Sequence, residues 1–170
     1  MKLTKVLIFA CALFFATLQL TNIASTQIVA LGASNVEGYG VNPSEAWPAQ
    51  PESMLRVKGK SSRIVNAGVF GETTGQILAR LSSSVPEGTK VVILAMFAFN
   101  DVRTGGTVDV ARANIMAIKK QLTARGIRVI DAIATMSSVM HQPGMVQSDR
   151  LHLTAEGHRR VAMQLVGFVN

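Results

Sequence analysis

The sequence predicts an α/β fold, a three-layer sandwich in which a small parallel sheet of about four strands lies between layers of helices. Four short apolar runs alternate with segments of helical periodicity, an arrangement that is typical of parallel sheets with helical connections. The first and third runs are nearly continuous in apolar residues, as expected for strands that are covered on both faces. A chain of 170 residues fits one such domain.

Each predicted strand is a short segment bounded by glycine, proline or polar residues. The first run stops at Gly32, which allows a turn, and Ser34 follows. The third is the clearest, because its residues are apolar without interruption. The predicted strands are residues 28–31, 62–66, 91–97 and 127–133.

The predicted helices carry apolar residues three and four positions apart. Pro48 and Pro51 confine the regular part of the first helix to its later half or bend it. The last begins at Arg150 or as late as Thr154. The predicted helices are residues 44–57, 72–83, 108–125 and 150–169.

The sequence also predicts the inner face of the third helix and the conformation of the segment 134–148. In the third helix the apolar residues at helical spacing, which should face inward, are Val110, Ile115, Ile118 and Leu122. The segment 134–148 contains Pro143 and Gly144 and has no clear periodicity, so it predicts a loop.

The first 25 residues have the three-part pattern of a secretory signal peptide. Lys2 and Lys5 give a positive start, residues 6–18 are almost wholly apolar, and the small residues Ala24 and Ser25 follow. This apolar stretch is shorter than the about 20 residues that a membrane span needs, although an uncleaved anchor is the alternative interpretation.

A cleaved signal implies a periplasmic or secreted protein whose one domain occupies residues 26–170, with no stable membrane association after cleavage. Cys11 is the only cysteine of the chain and lies within the signal segment, so disulfides do not stabilise the mature domain.

The charge distribution argues against a nucleic-acid partner. Loss of Lys2 and Lys5 lowers the net charge from +7 to +5, and the other basic residues are scattered among acidic ones. His152 and His158 lie six apart, with no cysteine or second acid clustered beside them, so we predict neither a metal site nor a cofactor. His141 and His158 are expected to be solvated.

Polar groups follow three of the predicted strands, and an acid and a histidine lie three residues apart near the end of the chain. Because parallel strands place their carboxyl ends at one edge, Ser34, Gly71 and Asn100 can meet Asp149 and His152 there. Acyl transfer needs such a set: a hydroxyl nucleophile, an imidazole base oriented by a carboxylate, and donors for the oxyanion.

Four blocks of sequence carry a resemblance to a known family. They are Leu31-Gly32-Ala33-Ser34, residues 66–74 (NAGVFGETT), Phe99-Asn100-Asp101 and Asp149-Arg150-Leu151-His152-Leu153. In this order and at these intervals they resemble the SGNH (GDSL-like) hydrolases, most closely the bacterial arylesterase, thioesterase and lysophospholipase members.

The resemblance implies an SGNH/flavodoxin-like sandwich and a catalytic role for each block. Ser34 would be the nucleophile, His152 the base and Asp149 its orienting carboxylate. The N–H groups of Ser34 and Gly71 and the side chain of Asn100 would form the oxyanion hole.

The chain departs from the family pattern at several positions. Ala33 replaces an acid, Ala98 and Phe99 replace glycines, and Leu153 stands where proline is usual. The segment 134–148 is also short for a family that fits a further helix and strand there. Phe99 beside the oxyanion site is expected to narrow the pocket or to reshape specificity. The short segment, which is expected to lack that helix and strand, would leave the site open and shallow.

The predicted function is that of an exported serine esterase acting on small acyl esters or thioesters. A non-catalytic binding module on a decayed SGNH fold and a carbohydrate deacetylase are the alternatives. Asp149 and His152 could also be a helix-start acid beside a surface histidine. The ordinary α/β-hydrolase elbow, G-x-S-x-G, is absent around Ser34.

Overall fold

The computed structural model describes residues 26–50 and 62–168. The predicted signal segment, residues 1–25, lies outside this part of the chain, and so does the second half of the predicted helix 44–57, residues 51–57. Of that helix, residues 44–48 form turns and helical structure begins at Ala49, in keeping with the two prolines. No helix in the described ranges is both long and apolar enough to cross a bilayer.

Four parallel strands form the sheet, in the order β2-β1-β3-β4. Gly32 at the end of β1 lies opposite both Gly68 and Ala95, so three strands end at the same edge. The connection after β1 leads to β2 on one side of it, and the connection after β2 leads to β3 on the other side. The crevice between β1 and β3 is therefore the topological switch point, where α/β proteins bind ligands. The strands are β1 (Thr26–Gly32), β2 (Ser62–Gly68), β3 (Val91–Ala95) and β4 (Arg128–Asp131).

Helices cover both faces of this sheet. One layer consists of α1, α6 and α7 and the other of α2, α3 and α5, while α4 follows β3 at the carboxyl edge. In the described residues the helices are α1 (Ser34–Glu37), α2 (Thr74–Ala79), α3 (Leu81–Ser84), α4 (Phe99–Arg103), α5 (Val108–Ala124), α6 (Ile133–Met140) and α7 (Ala155–Leu165), followed by a 3₁₀ turn, Val166–Phe168.

The central strand β1 shows why a continuous apolar run is needed here. Ile28 and Ala30 belong to the core on one face, and Val29 and Leu31 belong to the core on the other. All four are fully buried, because successive strand residues point to opposite faces and both faces are covered. The predicted three-layer α/β sandwich with four parallel strands is therefore confirmed.

The predicted loop at 134–148 is wrong in its first half, where helix α6 forms. Ala132, Met136 and Val139 are completely buried and pack against the sheet. Their spacing is helical, but alanine, serine and methionine on the other faces blur the contrast between polar and apolar positions. Tertiary packing therefore decides this helix, and Pro143 prevents its continuation.

One inward-facing residue of α5 was also predicted wrongly. Ala111, Ile118 and Leu122 are buried on its inner face, whereas the side chain of Val110 is 55% exposed. Val110 precedes Ala111 by one residue and is therefore rotated by about 100° from the inner face.

His158 on α7 is fully buried, which corrects the expectation that it is solvated. Its Nδ1 accepts a hydrogen bond of 3.2 Å from the backbone N–H of Trp47. Burial lowers the pKa of His158 from 6.5 to about 4, since the imidazolium would lose its water and clash with that donor. The residue therefore links α7 to the segment after α1 in its neutral form.

Acid should weaken the fold through His158. The unfolded chain binds a proton on this residue near pH 6.5 and the folded chain near pH 4, so the free energy of unfolding falls by about 3 kcal/mol from pH 7 to pH 4 on its account. Urea unfolding of the parent protein and of His158→Asn at several pH values measures this. The stability gap between the two should shrink with acid, and parallel profiles would contradict the assignment.

Candidate active site

The structure brings the predicted site residues together at the carboxyl edge of the sheet. Ser34 is the first residue of α1, directly after β1, and Asn100 lies in α4 after β3. With Gly71, from the loop after β2, and His152, from the loop before α7, they line one cavity of about 330 Å³. The edge thus unites residues more than 110 positions apart in the chain.

Ser34, His152 and Asp149 form a continuous hydrogen-bonded row. The Oγ of Ser34 lies 3.0 Å from Nε2 of His152, and Nδ1 of His152 lies 2.6 Å from Oδ2 of Asp149. Ser34 and His152 are buried, whereas the Asp149 side chain is 42% exposed. These contacts have the geometry of a nucleophile, a base and an orienting carboxylate.

The charge on Asp149 determines the tautomer of the imidazole. The hydrogen bond from the His152 side chain, helped by two backbone N–H donors, lowers the pKa of Asp149 from 3.8 to about 2. The ionised carboxylate can only accept hydrogen bonds, so Nδ1 of His152 carries the proton and donates it. Nε2 is then free to accept the hydroxyl proton of Ser34.

The ionised state of Asp149 predicts how kcat/KM falls as the pH is lowered. Because the pKa of Asp149 is lowered to about 2, this carboxylate stays charged over the range in which activity is assayed, so the loss of activity toward acid should follow the uptake of a single proton. A plot of log kcat/KM against pH should fall with a slope of one for p-nitrophenyl acetate. A slope of two, or a flat profile down to pH 4, would contradict this arrangement.

A tight turn places Asp149 and His152 on the same side of their loop. Oδ1 of Asp149 accepts the backbone N–H groups of Leu151 and His152, at 2.9 and 3.0 Å. Arg150 between them has a φ of 58°, a left-handed conformation that is uncommon outside glycine. The two hydrogen bonds compensate for this conformation and leave Oδ2 for the imidazole.

Asn35, the residue that follows Ser34 in helix α1, connects this helix to the loop around His152. Its Nδ2 donates to the carbonyl of Leu151 at 3.0 Å, and its Oδ1 accepts the N–H of Leu153 at 2.9 Å. The two contacts flank His152 on both sides. Leu153 stands where the family usually has proline, and a proline could not make the second contact because it has no N–H.

Loss of the Asn35 side chain should therefore lower activity through the position of His152. We expect Asn35→Leu to reduce kcat by about 10²-fold, since a displacement of roughly 1 Å is enough for such a loss. Asn35→Asp keeps the acceptor for Leu153 and should lose less. Both kcat and the free energy of unfolding should be measured, because an unchanged kcat in a destabilised Asn35→Leu protein would show that Asn35 only supports the fold.

Three donors that belong to residues lining the same cavity are candidates for an oxyanion hole. In the described part of the chain, the backbone N–H groups of Ser34 and Gly71 donate to no other group. Gly71 has a φ of 74°, a conformation that glycine adopts without a steric penalty. Nδ2 of Asn100 donates one hydrogen to the carbonyl of Glu72 at 2.8 Å, which leaves its second hydrogen for a ligand.

Arg80 ties together the segments that carry these donors. Its Nη2 donates to the carbonyls of Gly32 and Ala67, at 3.3 and 3.0 Å, near the ends of β1 and β2. Its Nε binds the carboxylate of Glu72 at 2.7 Å, and the carbonyl of Glu72 holds Asn100. Neither Arg80 nor Asn35 was predicted from the sequence, because both act through distant contacts. Their only signal is proximity to the predicted blocks.

Aromatic side chains form the walls of the site. The ring of Tyr39 lies 4.6 Å from that of His152 and stacks on Phe70 at 4.4 Å. Phe99 lines the 330 Å³ cavity and also a small one of about 40 Å³ beside Ser34. Phe99 therefore borders the space around Ser34 on two sides.

The candidate active site is separate from another depression on the surface, and no candidate metal site accompanies it in the described residues. A wider depression of about 540 Å³, lined by Gly40, Glu45 and Gln147 among others, contains none of the predicted site residues. Within residues 26–50 and 62–168, no group of three or more His, Cys, Asp or Glu side chains could hold a metal ion.

Comparison with known proteins agrees with the resemblance seen in the four blocks. The profile of the GDSL-like lipase/acylhydrolase family matches residues 30–147, which is more than half of the chain. The chain belongs to this family. The match ends before Asp149 and His152, so the candidate roles of these two residues are inferred from the hydrogen-bond geometry alone.

The chain is similar to two esterases of known name. It is 27% identical over 123 residues to the arylesterase of Vibrio mimicus, which covers 72% of this chain and 61% of that protein. It is 27% identical over 116 residues to the esterase TesA of Pseudomonas aeruginosa, at 68% and 58% coverage. The chain thus spans about 60% of the length of these curated relatives.

The fold of this family member agrees with solved structures. A crystal structure of TesA superimposes with a TM-score of 0.73 at 20% identity, and the match covers 85% of this chain and 98% of that one. At this level of identity the likeness concerns the fold.

Proposed function

We propose that this protein is a serine esterase that hydrolyses small acyl esters or thioesters through an acyl-enzyme intermediate. The observation that carries the proposal is the row Ser34–His152–Asp149, with separations of 3.0 and 2.6 Å. Membership of the acylhydrolase family and the similarity to an arylesterase and an esterase support it.

In the first half of the reaction, Oγ of Ser34 attacks the carbonyl carbon while Nε2 of His152 takes the hydroxyl proton. Asp149 stabilises the imidazolium that forms. The oxyanion receives hydrogen bonds from the N–H groups of Ser34 and Gly71 and from Nδ2 of Asn100. As the tetrahedral intermediate collapses, His152 returns the proton to the departing alcohol or thiol.

In the second half, water replaces the leaving group. His152 takes a proton from the water, which attacks the acyl carbon, and the proton then returns to Oγ of Ser34 as the acid departs. No step needs a metal or a cofactor.

A fluorophosphonate probe tests this proposal, because only an activated serine reacts with it rapidly. We expect stoichiometric labelling of the protein and turnover of p-nitrophenyl acetate, and no labelling of heat-denatured protein. Failure to label would favour a non-catalytic binding module. Parallel assays with acetylated sugars and fatty-acyl esters distinguish a deacetylase from an esterase.

We further propose that the protein acts in the periplasm or outside the cell. The proposal rests on the basic and apolar pattern of residues 1–25. Amino-terminal sequencing of the protein recovered from each cell fraction tests it. A mature start near residue 26 outside the cytoplasm is expected, and an uncleaved cytoplasmic chain would contradict it.

A further inference from the structure

Two arginines next to the candidate active site differ from the six others whose side chains the structure describes. Six arginines donate hydrogen bonds to other protein groups. Arg103 and Arg150 donate none and form no ion pair in residues 26–50 and 62–168. Arg150 lies between Asp149 and Leu151, and Arg103 lines the cavity beside Ser34.

Arg103 is the only charged residue among those that line this cavity, apart from His152 when it is protonated. It ends helix α4, three residues after Asn100, and its Nη2 lies 4.0 Å from the position that a Cβ on Gly71 would occupy. A guanidinium therefore lies close to the candidate oxyanion hole. The remaining wall is largely apolar and includes Phe70, Phe99 and Leu151.

No acidic side chain of the described residues neutralises this guanidinium. Glu72, the nearest acid along the chain to Gly71, is paired with Arg80. The carboxylate of Asp101 is buried and accepts the N–H and hydroxyl of Thr74. Asp149 is paired with His152. A cation without a counter-ion, beside an apolar wall, favours a ligand that brings a negative charge.

We propose that Arg103 is an anion-binding subsite of the catalytic pocket, and that the preferred substrates are esters carrying a carboxylate or a phosphate group. This inference rests on the proposed esterase function and names its substrate class. The apolar walls contact the organic part of the ester, the guanidinium binds its anionic group, and the carbonyl lies at Ser34. A carboxylate and a phosphate would both bind the guanidinium in this way, through charge-assisted hydrogen bonds.

The test compares anionic esters with their neutral methyl esters. Methyl 4-acetoxybenzoate and 4-acetoxybenzoate form one pair, with the charge on the leaving group. Dimethyl adipate and monomethyl adipate form a second, with the charge on the acyl group. The third pair, 4-acetoxyphenyl dimethyl phosphate and 4-acetoxyphenyl phosphate, provides the phosphate arm. The measured quantity is the ratio of kcat/KM for the anionic ester to that for its neutral partner.

Arg103→Gln should lower this ratio by about tenfold in at least one pair, the size expected for one charge-assisted hydrogen bond, and leave kcat/KM for the neutral ester within about twofold. Arg103→Lys should retain part of the preference, and Arg103→Glu should reverse it. Lys120→Gln is the matched control, because Lys120 is exposed on α5 and does not line the cavity.

Equal ratios in the parent protein, Arg103→Gln and Lys120→Gln for all three arms would overturn the subsite. Hydrolysis of the neutral esters would then still support the esterase function, so the two proposals fail separately. Loss of the preference in Lys120→Gln as well would also overturn it, because the effect would then belong to the net charge of the protein.

Discussion

Replacing Ser34 with alanine should lower kcat for p-nitrophenyl acetate by about 10⁶-fold, the scale on which serine hydrolases lose activity without their nucleophile. The Oγ of Ser34 is the only hydroxyl within reach of His152 Nε2 in the described residues. Its removal leaves no group that can form the acyl-enzyme. Stopped-flow and long-duration assays of nitrophenol release, with the substrate's spontaneous hydrolysis subtracted, measure the loss.

The size of this effect depends on Ser34 and His152 acting as a unit. His152→Ala should be about as inactive as Ser34→Ala, and the double variant should be hardly worse than either, since both remove the same step. The free energy of unfolding should be measured for each variant, and a folded Ser34→Ala protein that retains the parent's kcat would exclude Ser34 as the nucleophile.

Replacing Asn100 with alanine should lower kcat by about 10²–10³-fold, equivalent to about 2.7–4 kcal/mol, with a much smaller change in KM. The side chain amide would bind the oxyanion more tightly than the ground-state carbonyl, so its loss is felt mainly in the transition state. Initial rates over a range of ester concentrations separate the two constants.

A second variant distinguishes this role from a structural one. Nδ2 of Asn100 also donates to the carbonyl of Glu72, so Asn100→Ala costs some stability as well. Thr104→Ala removes a hydroxyl in the same segment that donates only to the carbonyls of Asn100 and Asp101. Thr104→Ala should retain most of the parent's kcat, and an equal loss in both variants would indicate that Asn100 acts by holding helix α4.

The strands were predictable from the sequence because both faces of the sheet are covered. Ile28 to Leu31 have no polar side to confuse the pattern, and the run 91–95 is buried throughout. Helix α6 was missed because its exposed positions carry Ala134 and Ser138, which contrast little with the buried ones. The burial of His158 leaves no trace in the sequence for a similar reason: the N–H that donates to its Nδ1 belongs to Trp47, which lies 111 residues away.

In the candidate site, too, some features could be predicted from the sequence and others could not. Ser34, Asn100 and Gly71 follow three parallel strands, so their meeting at one edge follows from topology alone. The residues that hold them in place were not predictable. Asn35 reaches across to the loop around His152, and Arg80 reaches the carbonyls at the ends of two strands. Such contacts depend on the folded arrangement and leave no periodic or motif-like trace in the sequence.

The most direct test of an activated Ser34 is the site of a covalent adduct. The intact protein should gain the mass of one phosphonyl group on reaction with ethyl p-nitrophenyl methylphosphonate, with release of one equivalent of nitrophenol and complete loss of esterase activity. Peptide mass spectrometry should place the adduct on Ser34, and His152→Ala should react far more slowly. An adduct on another residue, or reaction at the same rate without His152, would contradict the catalytic row that the structure presents.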